Sequence, residues 1–157
     1  MKNVLLSIAA VSLLGAPAFA DDIFTFQTSE DFQEILEEEY GERELDRLSD
    51  EIRDDITREL GNAGISPARI DVTILDAKPN RPTLEQIGRN GLRFRSFGIG
   101  GMDLKAVAFD GSGNVINELE YGWFENDIRL AEGRTTWYDA RRASDKFARK
   151  FAKQFKG

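Results

Sequence analysis

Apolar and polar positions alternate with two different periods along the chain, and the switches between them mark out the elements. Ile23-Phe24-Thr25-Phe26 alternates as a short strand does. Thr28 and Ser29 then offer N-caps for a helical turn carrying Phe32, Ile35 and Leu36, which Gly41 interrupts or bends. From Glu42 the apolar residues Leu45, Leu48, Ile52, Ile56, Leu60 and Ala63 recur at spacings of three and four, one stripe of a long helix. Gly61 and Gly64 mark its end. Ile70 to Leu75 is a β-branched strand running into KPNRPT, whose two prolines forbid a central strand. TLEQIGRNG adds a helical turn.

Strand character resumes near Leu92 and is strongest from Met102 to Phe109, and the turn DGSGN joins it to a strand from Val115 to Phe124. A last helix spaces Trp137, Ala140, Ser144, Phe147, Phe151 and Phe155 along one side. The order predicts an α+β two-layer sandwich, a small mixed or antiparallel sheet with helices mainly on one face. No internal repeat or domain boundary interrupts residues 21–157, which read as a single globular domain.

The first twenty residues stand apart. Lys2, the apolar run VLLSIAAVSLLGA and Ala18-Phe19-Ala20 form a secretory signal peptide with cleavage expected after Ala20, which places the mature protein in a bacterial periplasm. The run is short of the roughly 20 apolar residues of a membrane span. Its removal with Lys2 leaves 20 basic against 28 acidic residues, a net charge of −8. An acidic protein is a poor general binder of nucleic acid or anionic membrane. The chain has neither cysteine nor histidine. Thiol chemistry, lipidation at cysteine, Ser-His-Asp triads and the usual zinc ligands are thereby excluded, while carboxylate, lysine and tyrosine chemistry is not.

Charge is uneven. Residues 30–60 hold 14 acids and 4 arginines, whereas residues 139–157 hold seven Lys or Arg and two Asp. Either the two helices lie side by side and partly neutralise one another, or the basic helix faces an anionic partner such as phospholipid head groups.

The stretch RFRSFGIGG, residues 93–101, carries the main candidate site. Gly98, Gly100 and Gly101 match no dinucleotide fingerprint, and a strand rather than a helix follows them, so they read as a bulge or a close backbone approach. Lys78, Arg81, Arg89, Arg93 and Arg95 gather within eighteen residues of an acidic protein. If residues 92–96 are extended, Arg93 and Arg95 share a face opposite Phe94. Arg81, Arg93 and Arg95 are the candidate ligand- or partner-binding residues, since guanidinium groups grip carboxylates and phosphates in forked geometry. The alternative is that these arginines pair with acids of the long helix.

DGSGN has the alternating Asp110, Ser112 and Asn114 of a calcium loop, but the strand that follows turns one of Glu118 and Glu120 away, and a hairpin turn is the better reading. The pairs Glu118/Glu120 and Glu125/Asp127 have the residue types of an acid and a base, yet in so acidic a chain such pairs arise by chance, and no catalytic residue is assigned. No metal and no cofactor is expected.

The loop with arginine, FGIGG, the alternating strand, D-x-x-G-x-V and the final A-x-x-A-x-x-x-FA helix resemble uncharacterised bacterial envelope proteins, many of them lipoproteins. Their domain is similar to the small α/β modules of the curli-secretion lipoprotein and the TolB amino-terminal region. Gly98 to Gly101, Asp110, Gly113 and Val115 carry the resemblance, which spans about residues 42–155. It implies a non-enzymatic envelope module without transferable catalytic residues. The missing cysteine departs from the lipidated relatives and implies a soluble periplasmic protein. The expectation is an interaction module binding another envelope protein or an anionic envelope component. A small-anion or small-ligand carrier using the same arginines, or a carboxylate-based hydrolase acting on envelope glycans, are the alternatives.

Overall fold

The computed structural model describes residues 23–155; the signal-peptide reading falls outside the described residues. Strand β1 (Phe24–Thr28) leads into helix α1 (Glu30–Ile35), a π-helical turn (Leu36–Tyr40) and helix α2 (Arg43–Ala63). Strand β2 (Arg69–Lys78), helix α3 (Leu84–Asn90), strands β3 (Gly101–Phe109) and β4 (Val115–Phe124), a 3-10 turn (Ile128–Leu130) and helix α4 (Tyr138–Gln154) complete the order.

The four strands lie side by side in sequence order, β1 parallel to β2 and the other neighbours antiparallel. The sheet is therefore mixed, and the fold is α+β as the sequence predicts. Period-two alternation turns Ile70, Val72 and Ile74 of β2, with Leu104, Ala106 and Ala108 of β3, onto one buried face. A bulge at Leu75 switches the inward set of β2 from even to odd positions: the register resumes with Asp76 opposite Asp103, and Ala77 takes the inner face beside Met102.

Helices α2 and α4 run side by side and lay Ile52, Ile56, Leu60, Phe147 and Phe151 into the same core. Each such side chain, fully buried, contributes about 1.5–3 kcal/mol relative to its exposed state. Ser29 caps α1 by accepting from the Phe32 N–H at 3.2 Å, and its hydroxyl donates to the Leu75 carbonyl at 2.8 Å, tying helix start to sheet.

The acidic and basic helices are thus neighbours, but their charges meet sparingly. One pair that crosses between them is Arg58 with Asp145 at 3.0 Å, the cation coming from the acidic helix. Three cations of α4 turn instead to the sheet: Arg142 and Lys146 lie over the Trp123 ring and Lys150 over Tyr121. They cover the apolar end of edge strand β4 while holding their charge in solvent.

DGSGN forms the expected hairpin turn. One Asp110 carboxylate oxygen accepts from the N–H groups of Ser112 and Asn114, both at 2.9 Å, and Gly113 takes the left-handed conformation. The Asn114 side-chain amide, donating to the other oxygen at 3.0 Å, and then these backbone donors hold the Asp110 carboxyl below its usual range. Glu118 and Glu120, two residues apart, share the outer face of β4, contrary to the expectation that one of them turns away; Glu118 pairs there with Lys105 at 2.8 Å.

Candidate functional site

The candidate site is assembled where three loops meet at the end of the sheet. Pro79 has no N–H to extend the β2 ladder, so β2 stops at Lys78, opposite Gly101. The strand expected from Leu92 therefore does not form. Its alternation is genuine, but no ladder partner remains on that side of Gly101. Residues 93–96 instead close a turn, with the Ser96 N–H donating to the Arg93 carbonyl at 2.8 Å. Arg93 and Arg95 consequently flank a corner rather than share a strand face.

Asn80 organises the meeting of the loops. It is wholly buried, as is Asp139 in the first turn of α4. The Asn80 Nδ2 donates to Asp139 Oδ2 at 2.5 Å and to the Gly98 carbonyl at 3.1 Å, and the Asp139 N–H donates back to Asn80 Oδ1 at 2.8 Å. Backbone bonds from Asn80 N–H to the Thr136 carbonyl at 2.6 Å and from Gly98 N–H to the Asn80 carbonyl at 2.9 Å complete the junction. Arg134 answers the buried charge of Asp139 at 3.0 Å, and Gly100 N–H adds a donor at 3.3 Å. A buried carboxylate is tolerable only with such pairing.

This junction explains the glycines. A Cβ on Gly100 would lie 2.7 Å from the Lys78 carbonyl and 2.8 Å from Asn80 Oδ1, and one on Gly101 would collide with the Trp123 carbonyl and Phe124. Close backbone approach, as read from the sequence, is their role. Gly98 faces open space.

The three candidate arginines separate into two kinds. Arg81 is half-buried; its Nε donates to the Arg134 carbonyl at 2.6 Å and a terminal nitrogen reaches the Phe94 carbonyl at 3.5 Å. It braces the turn from below. Arg93 and Arg95 are exposed, and their side chains have no ion pair or hydrogen bond within the described residues. Of the other cations in the group, Lys78 lies 4.0 Å from Asp76 and over the Phe124 ring, while Arg89 pairs with Glu85 and donates to the Glu37 carbonyl at 3.1 Å. None of the five pairs with an acid of α2.

Around the free arginines the surface is apolar. Phe94, at the corner of the turn, is 72% exposed, and Leu92, Phe97 and Ile99 are exposed with it. Beneath them lies a shallow cavity of about 270 Å³, lined by Tyr40, Lys78, Arg81, Gln86, Leu92 and Phe97 among others. Its two cations, Lys78 and Arg81, are turned to the partners described above.

The carboxylate pairs considered from the sequence are not brought together over a cleft. Glu118 and Glu120 stand on the exposed outer face. Glu125 is buried, accepts from the N–H groups of Asn126 and Asp127 and pairs with Arg142, while Asp127 holds Arg129. Among the described residues no group of three His, Cys, Asp or Glu side chains is placed to hold a metal ion, and no helix is long and apolar enough to cross a membrane.

Sequence reasoning found the arginines and missed their setting. Asn80 and Asp139, which hold the loop in place, gave no periodic signal, because a buried polar junction between loops has none. The only hint was an asparagine locked between two prolines.

No protein-family model matches the chain, and no curated protein matches it in sequence. The crystal structure of a minor lipoprotein from Acinetobacter baumannii aligns with 83% of this chain and 89% of its own, at 12% identity and a TM-score of 0.37, a likeness too slight to place the chain in a family.

Proposed function

We propose that the chain is a non-enzymatic interaction module of the bacterial cell envelope that works in the periplasm and engages its partner through the loop of residues 92–99. One observation carries this reading. The loop presents exposed Leu92, Phe94, Phe97 and Ile99 together with two arginines that the fold does not use. The exposed parts of these side chains stabilise nothing within the monomer, and an apolar patch rimmed by cations is the usual character of a contact surface. The loop is also held rather than loose. Asn80, Arg81 and the Gly98 backbone fix its base, so little ordering remains to oppose association.

The test is a photo-reactive residue placed at Phe97 in intact cells, with a second protein carrying it at Thr25, exposed on the outer face of β1. The loop position is expected to yield a discrete cross-linked envelope component, and Thr25 none. Cross-linking in the Phe97 protein should disappear when Arg93→Glu and Arg95→Glu are added. A loop position that captures nothing, or no more than Thr25 does, removes the reading.

A further inference from the structure

The chemistry of the tip goes further and, resting on that reading, names a partner class. We propose that residues 92–99 form a membrane-surface anchor that docks this protein onto an anionic phospholipid leaflet.

Shape decides between a bilayer and a protein groove. The hydrogen bond from Ser96 N–H to the Arg93 carbonyl makes the tip a convex turn, with Phe94 and Arg95 at its corners. Phe94 stands at the corner, 72% exposed, while Leu92, Phe97 and Ile99 are partly exposed and line the shallow cavity beside it. A highly exposed ring at the corner of a turn, with partly exposed apolar residues behind it, suits shallow insertion at an acyl boundary. Aromatic rings interleaved with arginines suit the headgroup layer, where rings sit at the apolar boundary and guanidinium groups reach phosphates.

Charge points the same way. Residues 78–95 hold five cations and one acid, a local +4 in a chain of net −7. Arg93 and Arg95, unpaired in the fold, are free to neutralise lipid phosphates. The acids of residues 30–60 oppose this attraction, and those of the π-helical turn lie nearby, since Arg89 donates to the Glu37 carbonyl and Tyr40 lines the same cavity; added salt weakens both the attraction and the repulsion. The basic helix α4 is the poorer contact, because Arg142, Lys146 and Lys150 already lie over β4 aromatics.

The experiment is flotation of the mature protein with vesicles of phosphatidylethanolamine and phosphatidylglycerol, alongside all-phosphatidylcholine vesicles. The wild type is expected to float with the anionic vesicles and to be released by added salt. Phe94→Ser with Phe97→Ser should lower the bound fraction about tenfold or more, by removing the apolar contact. Arg93→Gln with Arg95→Gln should abolish the preference for anionic over zwitterionic vesicles. Lys150→Gln with Lys153→Gln should leave binding intact. Circular dichroism checks that every variant folds. Failure of the wild type to float, equal flotation with both vesicle types, or loss of binding in the α4 variant but not the tip variants would each overturn the anchor. If flotation fails while Phe97 still cross-links to a discrete envelope protein, the envelope-module reading stands and the lipid assignment alone falls. If both fail, both fall.

Discussion

Asn80 and Asp139, 59 residues apart in the chain, exchange hydrogen bonds in both directions: Asn80 Nδ2 donates to Asp139 Oδ2 at 2.5 Å, and Asp139 N–H donates to Asn80 Oδ1 at 2.8 Å. The amide serves this junction because it both donates and accepts. An aspartate of the same shape only accepts when ionised.

Asn80→Asp is therefore expected to cost about 3–5 kcal/mol at neutral pH, since it sets a second carboxylate against a buried one that Arg134 already balances. The loss should shrink in acid, where protonation of the introduced carboxyl replaces the missing N–H donor with an O–H. Urea denaturation at neutral and acidic pH checks this. A deficit that does not depend on pH would mean that shape, not charge, is what Asn80 supplies.

The glycines of the FGIGG stretch are expected to respond oppositely to alanine. Gly100→Ala drives a methyl group against the Lys78 carbonyl and Asn80 Oδ1 and should cost about 1–3 kcal/mol. Gly98→Ala meets nothing within 4 Å and should lie between neutral and about 1 kcal/mol more stable, through the less flexible unfolded chain. Thermal unfolding of the two proteins gives the comparison, and equal effects would contradict the assignment of close approach to Gly100.

The arginines divide in the same manner. Arg81→Glu removes a charge-assisted bond to the Arg134 carbonyl and should destabilise by about 1.5–3 kcal/mol. Arg93→Glu and Arg95→Glu should stay within about 0.5 kcal/mol of the wild type, because neither side chain has a partner in the fold. A binding experiment that reverses all three charges at once would confuse a damaged loop with a damaged interface. Denaturation of the single variants separates them.

The elements that bury a regular stripe were legible in the sequence. Ile52, Ile56 and Leu60 on α2, Phe147 and Phe151 on α4, and Leu104 to Ala108 on β3 each announce their face through spacing alone. The site was legible only in part. Leu92 to Arg95 alternate as a strand does, and nothing local says that Pro79 has removed the ladder they would join. The exposure of Phe94 and Phe97 was hidden for a related reason. Aromatic residues are normally core, and only the fold shows that this loop is carried past the end of the sheet. Arg93 and Arg95 stood out because cations are conspicuous in an acidic chain, whereas the buried pair that positions them did not.

At the seam of α2 and α4, the hydroxyl of Ser144 is buried without a hydrogen-bond partner, as is one carboxylate oxygen of Asp55. A buried hydroxyl that bonds to nothing carries its desolvation cost without return. Ser144→Ala is thus expected to be neutral or stabilising by up to about 1 kcal/mol. A clear loss of stability in urea would instead reveal that Ser144 has a partner in solution, such as a bound water bridging it to a neighbouring acid.

Tyr40 supplies the clearest pH dependence. The ring packs edge-on to Trp137, 5.7 Å between centroids, and against Phe32. Burial first, and then the charges of Glu39 and Asp76, push its hydroxyl up from 10.0 to about 12. The folded protein thus keeps its proton across a range where the unfolded chain has lost it. Stability tied to that proton is complete below pH 10, falls as pH rises between 10 and 12, and is fully lost above. The slope is at most about 1.4 kcal/mol per pH unit. Two measurements follow. An ultraviolet titration should show a tyrosine ionisation step near pH 12 that Tyr40→Phe removes. Tyr40→Phe should flatten the alkaline fall in denaturation free energy, and an undiminished fall in that variant would assign the effect to other groups.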